Sequence, residues 1–142
     1  MKEIVKKYNI KNILDVGSLD VNGSYRDLFE NYTGLDIEEG KNVDVIGEEY
    51  NYPFSNDSFD VVICGQTLEH TEELLKVVKE MARVAKDMVV VIVPNAAPEH
   101  RYPKDYWRIL PDGLEFLFKK AGLEVLECYM SFNDTVGIAK KV

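Results

Sequence analysis

The chain lacks most of the features that would set it apart from an ordinary folded domain. Its only two cysteines, Cys64 and Cys128, lie far apart inside apolar runs with no CxxC spacing and no histidine cluster. That excludes a disulfide framework and a structural zinc site, and it fits reduced core thiols in a cytoplasmic protein. Long hydrophobic runs are missing too. The longest, residues 88–93, is far short of a membrane span, and the lysine-rich, amphipathic residues 1–12 do not read as a targeting leader. Positive charge is scarce: 17 Lys and Arg face 25 Asp and Glu, for a net charge of -8. Such a field repels a polyphosphate backbone unless a local basic patch overcomes it, and the densest basic stretch, Lys2, Lys6, Lys7 and Lys11, reads as a solvated face. Nucleic acid and membrane are therefore not expected as partners. What is present is 46% hydrophobic and 30% charged residues over 142 positions, with no repeats and no linker, the composition and size of a single domain spanning residues 1–142.

Hydrophobic periodicity alternates between two types, which predicts an α/β fold with a mostly parallel sheet and helices on its faces. After a short helix at residues 2–8, residues 12–16 read as a buried strand. Ser24 then reads as the N-cap of a helix carrying Tyr25, Leu28, Phe29 and Tyr32 at helical spacing. Strands are expected at 33–37, weakly at 42–46, and strongly at 60–64, where β-branched residues follow the turn formers Ser55 to Ser58. Thr71 starts a helix with Leu74, Val78, Met81, Ala82 and Ala85 on one face, and residues 88–93 are apolar throughout, as a central parallel strand requires. Pro111 and Gly122 bracket the last helix, whose stripe is Leu114, Leu117, Phe118 and Ala121, although Leu110 gives it no capping side chain. Residues 125–129 and 136–141 read as terminal strands able to pair antiparallel.

In an open parallel sheet, ligands bind beyond the carboxyl ends of the strands. The first such loop runs Asp15, Val16, Gly17, Ser18, and its glycine lets the main chain come close to a ligand. Asp36 ends the second strand about twenty residues later, the interval at which a carboxylate can accept both hydroxyls of a ribose. The long loop between Val93 and Pro111 carries His100, Arg101, Tyr102, Asp105, Tyr106, Trp107 and Arg108. Its aromatic density argues for an ordered lid over the ligand. Tyr106 and Trp107 also read simply as plugs of an apolar edge, and the arginines as partners of the chain's own acids. His70 and His100, the only histidines, fall in ligand-side loops and are the candidate general bases, His100 the better one, with Asp105 beside it.

These residues, together with Pro53-Phe54-Ser55-Asn56-Asp57-Ser58-Phe59-Asp60-Val61-Val62, then Leu68-Glu69-His70 and Ala121-Gly122-Leu123, run in order along nearly the whole chain. In that order the sequence resembles the class I S-adenosylmethionine-dependent methyltransferases, in the small single-domain, type 11-like branch. The resemblance implies a Rossmann-like seven-stranded sheet whose last strand is antiparallel, and S-adenosylmethionine as cofactor. By position it implies that Asp15, Gly17 and Ser18 line the methionine portion, Asp36 the ribose, Ile37 a face of the adenine and Glu48 its amine, while the backbone of Gln66 holds the methionine amino group. Leu19 stands where the family usually has a second glycine, which predicts a longer or differently shaped first loop. The short interval between the second strand and residues 60–64 leaves little room for the usual intervening helix.

The activity so implied is methyl transfer by direct displacement. The pattern His100, Tyr102, Pro103, Asp105, Tyr106, Trp107, Arg108 resembles methyltransferases of glycan and small-metabolite pathways, so Tyr102, Tyr106, Trp107 and Arg108 are expected to face a small-molecule or glycan-type acceptor. With no added substrate domain, the acceptor is small or exposed, or a second copy or partner subunit completes the site. Two other readings stand beside this one: a cofactor-binding module without catalysis, and a dinucleotide-binding oxidoreductase domain.

Overall fold

In a computed structural model, residues 1–21, 23–99, 101 and 104–142 are described. Helix α1 (Lys2–Tyr8) leads into strand β1 (Asn12–Val16), followed by β2 (Asn31–Asp36), β3 (Val45–Ile46) and β4 (Phe59–Gly65). Helix α2 (Leu74–Val84) runs without a break into β5 (Ala85–Pro94). Helix α3 (Pro111–Lys120), β6 (Leu123–Ser131) and β7 (Asp134–Lys141) complete the chain. The strands form one seven-stranded sheet in the order β3-β2-β1-β4-β5-β7-β6. The first five are mutually parallel where they pair. β7 runs antiparallel to β5, and β6 antiparallel to β7. This is the mostly parallel, Rossmann-like sheet with an antiparallel last strand that the sequence leads one to expect, β6 running in the same direction as β5.

The period of two along the strands sorts side chains onto two faces. Leu14, Val16, Val62, Cys64, Val89, Val91 and Val93 join the cluster packed by α2 and α3. The alternate residues Ile13, Val61, Ile63, Val90 and Ile92 join the cluster under Ile4 of α1. Helices thus cover both faces. The thiol of Cys64 is fully buried, and that of Cys128 is half-buried against the Pro111 carbonyl. Among the described residues, no helix is long and apolar enough to cross a membrane.

The helix expected at Ser24 is not formed. Ser24 does accept the Arg26 amide through its hydroxyl, as an N-cap would, but only one 3-10 turn follows, at Arg26–Leu28. The chain must be extended by Asn31, which pairs with Asn12 and donates its amide to the Lys11 carbonyl. Too few residues remain for two helical turns, so Tyr32 becomes a strand residue and Tyr25 turns toward β4. The third strand also shrinks from 42–46 to Val45–Ile46, because Asn42 takes a left-handed φ of 72° and Val43 closes a turn onto Gly40. Helix α2 starts at Leu74 rather than Thr71, since the intervening residues anchor another loop.

Candidate functional site

The carboxyl ends of β1, β2 and β4 open onto a cavity of about 730 Å³. Its geometry is set where the β1 and β4 loops touch. Gly17 sits at φ +77°, and a Cβ built on it would lie 2.1 Å from the Thr67 hydroxyl oxygen, so only glycine fits. From there the loop folds onto the end of β2. The amides of Gly17 and Ser18 both donate to the Leu35 carbonyl (2.9 and 3.0 Å), and the Leu19 amide donates to Asp36 Oδ2 (3.0 Å). This corrects the expectation that these amides face a ligand: three in a row are used inside the protein. Leu19, in place of a second glycine, packs its side chain on Gly40, where a Cβ would meet its Cδ1 at 2.3 Å. It therefore forms a side wall.

Asp36 is aimed by the main chain. Oδ2 takes the Leu19 amide and Oδ1 the Glu38 amide at 3.2 Å, which fixes the carboxylate while leaving acceptor capacity on both oxygens. Asp15 is almost wholly buried and accepts the Tyr32 hydroxyl. Burial pushes its carboxyl up to about 7, with the nearby Asp36 adding to the rise and the Tyr32 hydrogen bond opposing it. Gln66 is held in the left-handed region at φ 54°, its amide on the Ile92 carbonyl and its side chain on Asp134 Oδ1 at 2.9 Å. A strained backbone at a cavity edge is a common mark of a functional site. Ser18 uses its amide and carbonyl within the protein, and its hydroxyl lies against Gly34 rather than the cavity. Asp15, Gly17, Ser18, Asp36, Ile37, Glu48 and Gln66 all line the same cavity.

Of the described residues in the Val93 to Pro111 connection, Lys104 and Tyr106 line this cavity, and the others divide the work differently from expectation. The amides of Tyr106 and Trp107 donate to the Glu69 carbonyl (2.7 and 3.4 Å), the Trp107 indole to the Thr71 carbonyl (2.7 Å) and the Tyr106 hydroxyl to Glu72 (3.2 Å). His70 lines the cavity, but its Nδ1–H is given to the Lys104 carbonyl and its Nε2 lies 3.7 Å from the buried Glu69 carboxylate. That arrangement suits a tether for the lid better than a base. Asp105 and Arg108 do not line the cavity. They form a two-pronged pair (2.6 and 2.8 Å), and Arg108 also holds the carbonyls of Ala97 and Pro98. Asp105 is thus the counter-ion of a loop staple, with its side chain 2% exposed. Trp107 faces a separate shallow groove with Leu74, Leu75 and Leu117, the edge plug of the plainer reading, whereas Tyr106 reaches the cavity. His100 and Tyr102 lie outside the described residues.

Three further residues of the cavity, Tyr25, Glu49 and Tyr52, are not among the expected site residues. Tyr25 reads as part of a helical stripe, yet its hydroxyl sits where a Cβ of Gly65 would be, 2.6 Å away, so the bare Gly65 at the end of β4 was the clue. Burial pushes that phenol up to about 12. Glu49 and Tyr52, from the β3–β4 connection, complete the wall. Among the described residues, the acidic side chains lining the cavity are Asp15, Asp36, Glu38, Glu48, Glu49 and Glu72, and the basic residues are Lys104 and His70.

Comparison with known proteins bears on this arrangement. The methyltransferase domain family matches residues 14–93, more than half of the chain. Norajmaline N-methyltransferase of Rauvolfia serpentina is 29% identical over 100 residues, covering 70% of this chain and 34% of that enzyme, so the chain spans about a third of its length. A SAM-dependent methyltransferase from Aquifex aeolicus superposes with a TM-score of 0.76 at 19% identity, covering 99% of this chain and 89% of the other. The Burkholderia thailandensis 1,6-didemethyltoxoflavin-N1-methyltransferase, solved with 1,6-didemethyltoxoflavin and S-adenosylhomocysteine, superposes with a TM-score of 0.80 at 10% identity over 99% and 76% of the two chains. A glycine-bearing turn after β1, an acid closing β2, the β4 stretch and the sheet order all fall within or around the matched span, and the chain belongs to the class I S-adenosylmethionine-dependent methyltransferase family.

Proposed function

We propose that this chain transfers a methyl group from S-adenosylmethionine to a small-molecule or glycan-type acceptor that is uncharged or basic. The observation that carries the reading is Asp36, fixed by two backbone amides and turned to the cavity with both oxygens still able to accept a ribose diol. The residues present fit that cofactor. Its sulfonium and ammonium outweigh its one carboxylate, and the wall carries Asp36, Glu38, Glu48, Glu49 and Glu72 beside the Asp15 carboxyl. When bound, it supplies a methyl group activated by the sulfonium.

Around it, the chain's own groups position and shield. Ile37 offers an apolar ledge to the adenine, Glu48 an acceptor for its amine, and Gln66 a backbone held in place from two sides. Asp15 and the turn at Gly17 shape the methionine end. The lid, tied down through Glu69, His70, Thr71 and Glu72, keeps water from the acceptor and places Tyr106 against it. Where the acceptor bears a proton, His100 is the base we assign, leaving His70 and Asp105 as positioning groups for the lid. The acid-rich wall disfavours phosphorylated or carboxylate-bearing acceptors. A small acceptor entering beside Tyr106 needs no added wall. A site completed by a second copy or a partner subunit would instead show turnover that falls on dilution.

The test is calorimetric titration of wild type and Asp36→Ala with S-adenosylmethionine, S-adenosylhomocysteine and NAD, followed by a methyl-acceptor screen. Adenosyl-ligand binding lost selectively in the variant supports the reading. Preference for NAD transfers the chain to the oxidoreductase alternative. Tight cofactor binding with no turnover on any acceptor makes it a binding module.

A further inference from the structure

The cavity floor is apolar, with one exception. Leu35, Leu68, Val77 and the ring of Tyr52 are buried members of a single core cluster and all line the cavity. The Tyr52 hydroxyl is buried with them and has no hydrogen-bond partner among the described residues. The local chain is not loosely held. The Tyr52 amide donates to Glu80 Oε2 at 2.5 Å, and its carbonyl accepts from Arg83 Nη2 at 3.1 Å and the Phe54 amide at 2.8 Å. The backbone is thus clamped to α2 and the ring projects from it to the floor. A buried hydroxyl left unpaired is costly, and phenylalanine would fill the same space without that cost. The other orphaned hydroxyl near the site, on Ser18, lies against Gly34 beneath the loop rather than among the apolar floor residues.

We propose that the Tyr52 hydroxyl is a cofactor contact, donating a hydrogen bond to the heteroaromatic base of the S-adenosyl ligand. This rests on the cavity being the S-adenosyl site. Tyr52 lies four residues beyond Glu48 on the same connection, and its floor neighbours Leu35, Leu68 and Val77 carry no polar side-chain atoms. A flat base with ring nitrogens in its plane can lie on such a floor and offer the acceptor the hydroxyl lacks. The amino-acid end of the ligand cannot, because its charges need the polar wall at Asp15 and Gln66.

The experiment compares the full chain with its Tyr52→Phe variant by calorimetry against S-adenosylhomocysteine and 5′-methylthioadenosine, with melting temperatures of the ligand-free proteins alongside. The proposal expects roughly five- to tenfold weaker binding of both ligands, and a ligand-free variant that melts at or above wild type because an unpaired hydroxyl has been removed. Unchanged affinity overturns it, as an ordered water satisfying the hydroxyl would produce. A lower melting temperature with unchanged affinity also overturns it, making the hydroxyl structural. Weaker binding of S-adenosylhomocysteine alone overturns the assignment to the base. If wild type binds neither ligand, the S-adenosyl reading itself fails.

Discussion

Replacing Gly17 with alanine tests the contact that sets the cavity's shape. Two separable penalties apply. An L-residue at φ +77° costs about 1–2 kcal/mol. The new methyl would also lie 2.1 Å from the Thr67 hydroxyl oxygen, 2.6 Å from its Cγ2 and 2.9 Å from its Cβ, and forcing those atoms apart costs about 1–3 kcal/mol. The total, about 2–5 kcal/mol, lowers the melting temperature of a domain this size by roughly 7–15 °C. Thr67→Ala removes the two nearer atoms but leaves the Cβ and the backbone strain. On its own it loses the hydroxyl's bond to the Gly65 carbonyl, 3.1 Å long, and its contact with the Cys64 thiol, so it should cost about 1 kcal/mol. The double variant should therefore be more stable than the sum of the single changes by about 1–2 kcal/mol. Scanning calorimetry of the four proteins reads this directly. A Gly17→Ala protein melting within about 2 °C of wild type, or a Thr67→Ala change that merely adds to its loss, would refute the reasoning.

Burial holds the Asp15 carboxyl near 7, above its unfolded value of 3.8. The native state therefore keeps its proton while the unfolded state loses one, and stability present below about pH 4 declines as pH rises to 7, by on the order of 3–4 kcal/mol. Chemical denaturation from pH 4 to 8 should show this slope, and Asp15→Asn should flatten it; an unaltered slope in that variant would place the cause elsewhere. A cationic ligand favours the ionised carboxyl, so affinity for S-adenosylmethionine should rise through pH 6–8 more than that for S-adenosylhomocysteine, which titration at three pH values checks. Arg108→Ala removes the two-pronged counter-ion of the buried Asp105 carboxylate and frees the Ala97 and Pro98 carbonyls, costing about 3–5 kcal/mol. Limited proteolysis should then cut within residues 95–110, while S-adenosylhomocysteine still binds; loss of binding without new cleavage would instead make Arg108 a ligand group.

The fold was legible where one physical demand dominates. Residues 88–93 are apolar on both faces because the central strand is covered by helices on both sides, and Pro111 with Gly122 marks α3 because each residue has a fixed backbone preference. Asp36 could be placed because the interval from Gly17 is set by the crossover between neighbouring parallel strands. The segment from Tyr25 to Tyr32 misled because its helical spacing is real but serves other ends. Tyr25 fills the space left by Gly65, Phe29 packs beside Tyr32, and Tyr32 binds Asp15. Register with β1, a demand from outside the segment, overrode the local pattern. The lid's roles were illegible for a similar reason. Asp105 and Arg108 have the chemistry of a site, and only the fold reveals that they spend it on each other.

The loss of that helix bears on which ligand the site accepts. In dinucleotide-binding domains the helix after β1 points its free amides and positive dipole end at a pyrophosphate. Here, among the described residues, only the single 3-10 turn at Arg26–Leu28 lies between β1 and β2, and the amides of Gly17, Ser18 and Leu19 are turned inward to Leu35 and Asp36. The acidic residues lining this end of the cavity are Asp36, Glu38 and Glu48, beside Asp15, whose carboxyl burial raises to about 7. A diphosphate placed there would meet like charge with no donor row to offset it. A ligand carrying a diol and a net positive charge, its sulfonium and ammonium outweighing its one carboxylate, meets acceptors and opposite charge. The same departure that makes the first loop look incomplete, a leucine and a missing helix, therefore disfavours dinucleotides and favours a sulfonium nucleoside.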